Sequence, residues 1–332
     1  MATKEATQKS LELNSWIQTL FGGEPFRLER LAGDASFRSY SRLFLRDKSF
    51  IVMSAGKDKD SCHAFAALAR AFRAADVMAP HILEQDLEQG YMLLSDFGDE
   101  VYLKHLNDGS ADDLYERAFA ALLNLQTCTE IPDYSLPLYD RDRYLAEMNL
   151  CRDWYLTQHL GFELSTMEHQ LLDYIFDLLI VDASSQPQVC VHRDYHSRNL
   201  MMVQPKNIGI LDFQDAVLGP VTYDLVSLLR DCYIRWPEER VRAWAKSFFQ
   251  QKNAGQSVQI SDWDQFYHWF DWMGLQRHLK CMGIFARLNA RDHKPQYLAD
   301  IPRILQYVEQ VSGRYPELKE FTLFLNKRKI LV

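Results

Sequence analysis

The sequence predicts an α+β chain in two lobes, a small antiparallel β-rich N-terminal lobe and a larger, mainly helical C-terminal lobe. Three observations predict it. Short extended runs divided by turn residues fill the first 94 residues around a single helical stretch. Helix-period apolar patterns dominate from residue 99 onward. Between them, Asp96-Phe97-Gly98 forms a turn-prone junction. The chain is accordingly divided into residues 1–94, a hinge at 95–98, and residues 99–332.

Taken in order, a short amphipathic start at 11–21 precedes extended runs at 26–32 and 37–45, parted by Gly33-Asp34-Ala35-Ser36. Arg46-Asp47-Lys48 turns the chain into a third strand at 50–53. From Asp60 the pattern is helical, with Phe65, Leu68, Ala69 and Phe72 on one face. Pro80 ends that region, and 82–83 and 91–94 form a hairpin through Glu88-Gln89-Gly90. Long helices are expected at 111–127 and 140–160. The segment 189–211 interrupts them, and helices resume to the end.

Composition narrows the function. The 332 residues are 47% hydrophobic, enough for two cores rather than a disordered chain. A net charge of −8, with no long basic block, argues against a nucleic-acid partner. The six scattered cysteines form no C-x-x-C pair and read as reduced, mostly buried thiols. The polar first ten residues lack a secretory apolar run, and no apolar stretch approaches the ~20 residues of a membrane span. A cytoplasmic protein with no membrane, nucleic-acid or obligate protein partner is expected.

The chemistry concentrates in residues 191–215, VHRDYHSRNLMMVQPKNIGILDFQD. His192-Arg193-Asp194 follows a strand-like lead-in, and Asn199 lies five residues beyond that Asp. Apolar runs at 200–203 and 208–211 flank a turn at 204–207, so a hairpin delivers Asp212-Phe213. Phosphoryl transfer needs one carboxylate at the acceptor hydroxyl, together with a carboxylate and an amide oxygen on magnesium. Asp194 suits the first role; Asn199 and Asp212 suit the second. The six residues between Asp212 and Gly219 are too few for the segment that seats a peptide in protein kinases, so a small-molecule acceptor is expected.

The H-R-D-x-x-x-x-N…D-F set resembles that of the protein-kinase-like fold. Its continuation through Asp215-Ala216 and Gly219-Pro220-Val221-Thr222-Tyr223-Asp224 is similar to the aminoglycoside phosphotransferase family. Within it, Gly33 to Arg38, Gly274 to Lys280, Ile284 to Leu288 and Tyr297 to Arg303 resemble the anomeric N-acetylmuramate/N-acetylglucosamine kinases of bacterial cell-wall recycling. The resemblance runs from about residue 30 to 315. It implies ATP- and Mg2+-dependent phosphorylation of an amino sugar at its 1-hydroxyl. It also implies nucleotide contacts from Gly33, Ser36 and Arg38 and from Leu94, Asp96 and Phe97, with Gly98 as the pivot.

The chain departs from the protein-kinase pattern. Only Gly33 remains of the glycines in the phosphate-covering loop, Met53 stands where the third-strand Lys is expected, and residues 61–77 contain no Glu to pair with such a Lys. Losing both halves of an ion pair is less costly than losing one. Arg38 is the first candidate to steady the phosphates, because guanidinium forks match their oxygens; Arg42 and Lys57 follow.

Candidate acceptor contacts are His196 and Arg198 in the catalytic loop, Asp215 after the metal strand, and Glu147, Arg277 and His278 in the helical lobe. Arg277, His278 and Lys280 would suit a lactyl carboxylate, or would form a solvated helix face. Trp154, Tyr155, Trp263, Trp269 and Trp272 are either sugar-stacking or core aromatics, and Asp224 reads as a loop anchor. Three readings stay open on these residues: an amino-sugar kinase, a same-fold kinase of an aminoglycoside, choline or another amino alcohol, and a nucleotide-binding pseudokinase.

Overall fold

A computed structural model describes residues 2–31, 38–56, 60–203, 207–255, 260 and 262–331. The N-terminal lobe comprises α1 (Ala2–Leu20), β1 (Arg27–Arg30), β2 (Ser39–Leu45), β3 (Lys48–Ser54), α2 (Asp60–Ala74), β4 (Ile82–Asp86) and β5 (Tyr91–Ser95). Its five strands form one antiparallel sheet in the order β1-β2-β3-β5-β4. Leu45 pairs with Lys48 across a two-residue turn in which Arg46 adopts a left-handed φ of 52°. Gly90, at φ 76°, closes the β4–β5 hairpin, a conformation glycine adopts without steric cost.

Side-chain alternation gives the sheet two apolar faces. Leu43, Val52 and Leu93 meet Ile17 and Trp16 of α1. Met53 and Met92 lie in the same core cluster as Phe65, Leu68 and Phe72 of α2. The amphipathic start expected at 11–21 is thus the packed second half of a longer helix, whose polar first half carries no apolar period to announce it.

The second lobe contains α3 (Ala111–Leu125), α4 (Arg141–Leu150), α5 (Thr166–Ser185), β6 (Gln188–Val191), β7 (Leu200–Val203), β8 (Asn207–Ile210), β9 (Val217–Pro220), α6 (Tyr223–Leu229), α7 (Glu238–Gly255), α8 (Trp263–Asp292), α9 (Ile301–Ser312) and α10 (Lys319–Lys327). β7 and β8 form the expected antiparallel hairpin. β9, which the sequence reading lacked, pairs antiparallel with β6 and frames the catalytic loop from behind.

The helix expected across 140–160 is α4 continued by a π-helical stretch, Cys151–His159. It lies against α8, the central element of the lobe, where Gly283 allows close approach: a Cβ there would come within 2.2 Å of the Leu150 carbonyl carbon. Neighbours cover α8 on most sides, so its polar Gln276, Arg277, His278 and Lys280 are all buried. The solvated-face alternative for these residues is therefore incorrect. Trp272 is buried, while Trp154, Trp263 and Trp269 pack half-buried against the core.

Candidate active site

The loop 192–199, expected to carry the catalytic residue, lies between β6 and β7, and two buried carboxylates hold it. Asp224 accepts the backbone N–H groups of His192 at 2.7 Å and Arg193 at 3.0 Å. Asp231 accepts the Ser197 N–H at 2.9 Å and its hydroxyl at 2.6 Å. Sequence reasoning identified the first anchor and missed the second, whose partner lies 34 residues away. These bonds sustain Arg193 at φ 75°, a left-handed geometry that is strained for a long side chain.

His192 is wholly buried and ties the loop to the hairpin. Its Nδ1 accepts from the Asp194 N–H at 3.2 Å, so Nε2 carries the proton and donates to the Leu211 carbonyl at 3.0 Å. Burial lowers its pKa to about 4, and the ring is neutral at pH 7. Asn199 donates its side-chain N–H to the Asp194 carbonyl at 3.0 Å, which leaves Oδ1 as the end that can meet a cation. Leu211 N–H in turn donates to the Asn199 carbonyl at 2.9 Å, bringing Asp212 alongside.

Asp194, Asn199 and Asp212 all face one inter-lobe cleft of about 1290 Å3. Burial works to raise the Asp194 pKa, but the charges of Lys280, His196 and Arg193 outweigh it and hold the acid at about 2. Asp212 is pushed up, first by burial and then by repulsion from Asp194 and Asp215, against one hydrogen bond from Gln214 at 2.8 Å. A cation between such carboxylates would relieve that repulsion.

Among the described residues no cluster of three or more His, Cys, Asp or Glu side chains could hold a metal. One carboxylate and one amide oxygen nonetheless fit magnesium, which keeps waters and draws further oxygens from phosphates.

Of the residues expected to contact the nucleotide, Leu94, Asp96 and Phe97 line the cleft. Leu94 is paired within the sheet to Ile51 and Ile82, so its contribution is a side chain rather than a backbone edge. Asp96 accepts the Gly98 N–H at 2.9 Å and bonds Arg42, whose Nε lies 2.7 Å from Asp96 Oδ2 and whose Nη2 lies 2.8 Å from Asp99 Oδ1. Arg42 is therefore engaged by the carboxylates of Asp96 and Asp99. Arg38 reaches the cleft with Nε donating to Ser61 at 3.2 Å, beside Tyr40. Gly33, Ser36 and Lys57 lie outside the described residues.

Of the residues expected to contact the acceptor, His196, Arg198, Asp215 and Arg277 line the cleft, as does Lys280. Two expected contacts do not. His278 turns away, stacking on Tyr307 at 4.8 Å and bonding the Arg230 carbonyl, because it sits one residue, about 100°, around α8 from Arg277. Glu147 is a buried ion-pair partner behind the cleft, bonded to Arg193 and Tyr139 and lying 3.1 Å from Lys280. The opposing cations hold its pKa down against burial.

Tyr223, Tyr233, Phe285 and Tyr297 are among the aromatics that line this part of the cleft. Phe285 lies 5.4 Å from Tyr297, and the Arg198 guanidinium sits 3.6 Å over Tyr233. Arg277 is only 3% exposed and carries no carboxylate ion pair among the described residues; its Nη1 donates to Cys232 at 3.5 Å.

Comparison with known proteins agrees with this geometry. The model of the "Phosphotransferase enzyme family" matches residues 27–269. A Pseudomonas putida N-acetylmuramate/N-acetylglucosamine kinase is 42% identical over 92% of this chain and 88% of its own. Its Neisseria meningitidis counterpart is 39% identical over 94% and 93%. Among solved structures, the ADP-bound aminoglycoside phosphotransferase APH(2'')-Ib superposes with a TM-score of 0.60 at 15% identity, covering 89% of this chain and 97% of that one. Streptococcus pneumoniae choline kinase LicA gives 0.61 at 10% identity, covering 91% and 99%.

The fold is thus the bilobal kinase-like one, and no helix among the described residues is long and apolar enough to cross a membrane. The chain belongs to the phosphotransferase enzyme family.

Proposed function

We propose that this protein transfers the γ-phosphoryl group of ATP to the anomeric hydroxyl of N-acetylmuramate or N-acetylglucosamine. The single observation that carries this reading is identity of about 40% along nearly the whole chain to several kinases of those sugars, together with a convergent Asp194, Asn199 and Asp212. Residues 1–94 and the hinge 95–98 hold the nucleotide, and residues 99–332 hold the acceptor and the catalytic loop.

Asp194 is placed to orient the sugar hydroxyl. Held at about 2, it is a weak base toward an un-ionised hydroxyl and takes the proton late, as attack on phosphorus develops, which suits a loose phosphoryl-transfer transition state. Asn199 Oδ1 and Asp212 would hold magnesium, whose charge neutralises the phosphates. Arg38, positioned by Ser61, takes the phosphate-steadying role that a third-strand Lys has in protein kinases.

Tyr233, Phe285 and Tyr297 offer apolar faces to the sugar ring, and Arg277 with Lys280 supplies positive charge suited to a lactyl carboxylate. That charge disfavours the cationic aminoglycoside or choline acceptors of the same-fold alternative. The test is direct assay of each sugar with ATP and magnesium, the product identified by 31P NMR as an anomeric phosphate. Turnover of neither sugar would reject the substrate assignment.

A further inference from the structure

Glu147 is withdrawn from the cleft, yet each of its carboxylate oxygens holds two partners. Oε1 is bonded to Arg193 of the loop 192–199 and lies 3.1 Å from Lys280 Nζ on α8. Oε2 accepts the Tyr139 hydroxyl and, at 3.3 Å, Gln276 Nε2. A single side chain of α4 thereby joins the loop to α8, and it does so while only 8% exposed.

Both cations lead back to Asp194. Arg193 precedes it at the left-handed φ of 75°, held by Asp224 through its N–H and by Glu147 through its guanidinium. Arg193 Nη1 also donates to the Asp215 carbonyl at 3.4 Å, so the same side chain ties the loop to the segment after Asp212. Lys280 lines the cleft with Asp194, and its Nζ donates to the Tyr223 hydroxyl at 3.1 Å.

The charges do not cancel. Two cations meet one carboxylate, which leaves one positive charge in excess beside the residue that carries Asp194. Such a buried cluster is weak evidence for stability, because desolvation offsets its attraction. Directional bonds to a loop in a strained conformation do something that apolar packing cannot: they fix where its side chains stand.

We propose that Glu147 is a positioning residue for phosphoryl transfer, acting through Arg193 and Lys280 to hold Asp194 in its working place. The proposal rests on the reading of Asp194 given above, as the group that orients the acceptor.

Glu147→Gln leaves Arg193 and Lys280 side by side without a counter-ion. The melting temperature should fall by several degrees. Sugar turnover should fall about a hundredfold, the usual cost of a misplaced reacting group. Adding Lys280→Met restores the parent's charge count, since Arg193 alone remains. In the double variant the melting temperature should recover most of the loss. Its kcat on both sugars should stay about a hundredfold down, with calorimetric affinity for ADP unchanged. Should Glu147→Gln fail to fold, the double variant against the parent carries the test.

Turnover that recovers together with the melting temperature would reduce the network to a structural one and overturn the proposal. Loss of ADP affinity in step with turnover would overturn it as well. Each protein is also assayed for ATP hydrolysis, in which water is the acceptor. A parent that hydrolyses ATP but phosphorylates neither sugar would fault the substrate reading, and the same comparison made on hydrolysis would decide the proposal. A parent with neither activity would overturn both.

Discussion

The side chain of Asn199 donates to the backbone carbonyl of Asp194 at 3.0 Å, so the residue proposed to present an oxygen to a metal also braces the residue proposed to meet the acceptor. The loop is in turn held from beneath by Asp224 and joined to the Asp212 strand through His192. Position in this site is set by hydrogen bonds to backbone, which tolerate little side-chain change.

Asn199→Ala removes the oxygen and unties the loop. The magnesium concentration needed for half-maximal activity should rise about tenfold or more, as for other losses around metal sites, and titration of activity against magnesium reads it. An unchanged magnesium requirement would remove Asn199 from the metal.

Arg277→Met keeps bulk and removes charge. With N-acetylmuramate the KM should rise about tenfold or more, in keeping with the ~1.5–3 kcal/mol of a hydrogen bond to a charged group. N-acetylglucosamine, which has no carboxylate, should be affected less. Equal effects on both sugars would mean that Arg277 does not meet the carboxylate.

Asp224 carries a pH signature. Burial raises its pKa from the ordinary 3.8 to about 7, although two backbone N–H groups favour the ion. The folded state then keeps a proton that the unfolded chain releases, so Asp224 subtracts stability as pH rises from about 4 to about 7, and no more above that. Comparing melting temperatures of Asp224→Asn and the parent across this range checks it. The parent's stability relative to the variant should decline through the window and then level; a flat difference would contradict the buried-acid assignment.

Gly283→Ala tests the spine of the second lobe. The added Cβ would meet the Leu150 carbonyl carbon at 2.2 Å and the Cys151 nitrogen at 2.4 Å, both backbone atoms that cannot rotate away. Separating α8 from this junction should cost about 1–3 kcal/mol or more, seen as a melting temperature several degrees lower.

The candidate site was legible in the sequence where its residues are local. Asp194, Asn199 and Asp212 fall within one short segment, and the hairpin joining them is written in alternating apolar runs. The strands of the N-terminal sheet and the β4–β5 turn were likewise readable from turn residues and pattern. The aromatic lining of the cleft was not. Tyr233, Phe285 and Tyr297 come together from three separate elements, and the buried length of α8 hides which way Arg277 and His278 point. β9 was missed because its partner, β6, lies across the whole catalytic loop. The π-helical stretch at Cys151–His159 keeps a helical composition, so nothing in its residues marks the change of winding.

Asp194→Asn is the most direct measurement, made as sugar turnover beside calorimetric binding of nucleotide. The expected outcome is a fall in turnover of about a hundredfold or more, the usual worth of a positioned acid–base group, with nucleotide affinity unchanged. Turnover surviving the substitution would place the acceptor, and the chemistry, somewhere other than at Asp194.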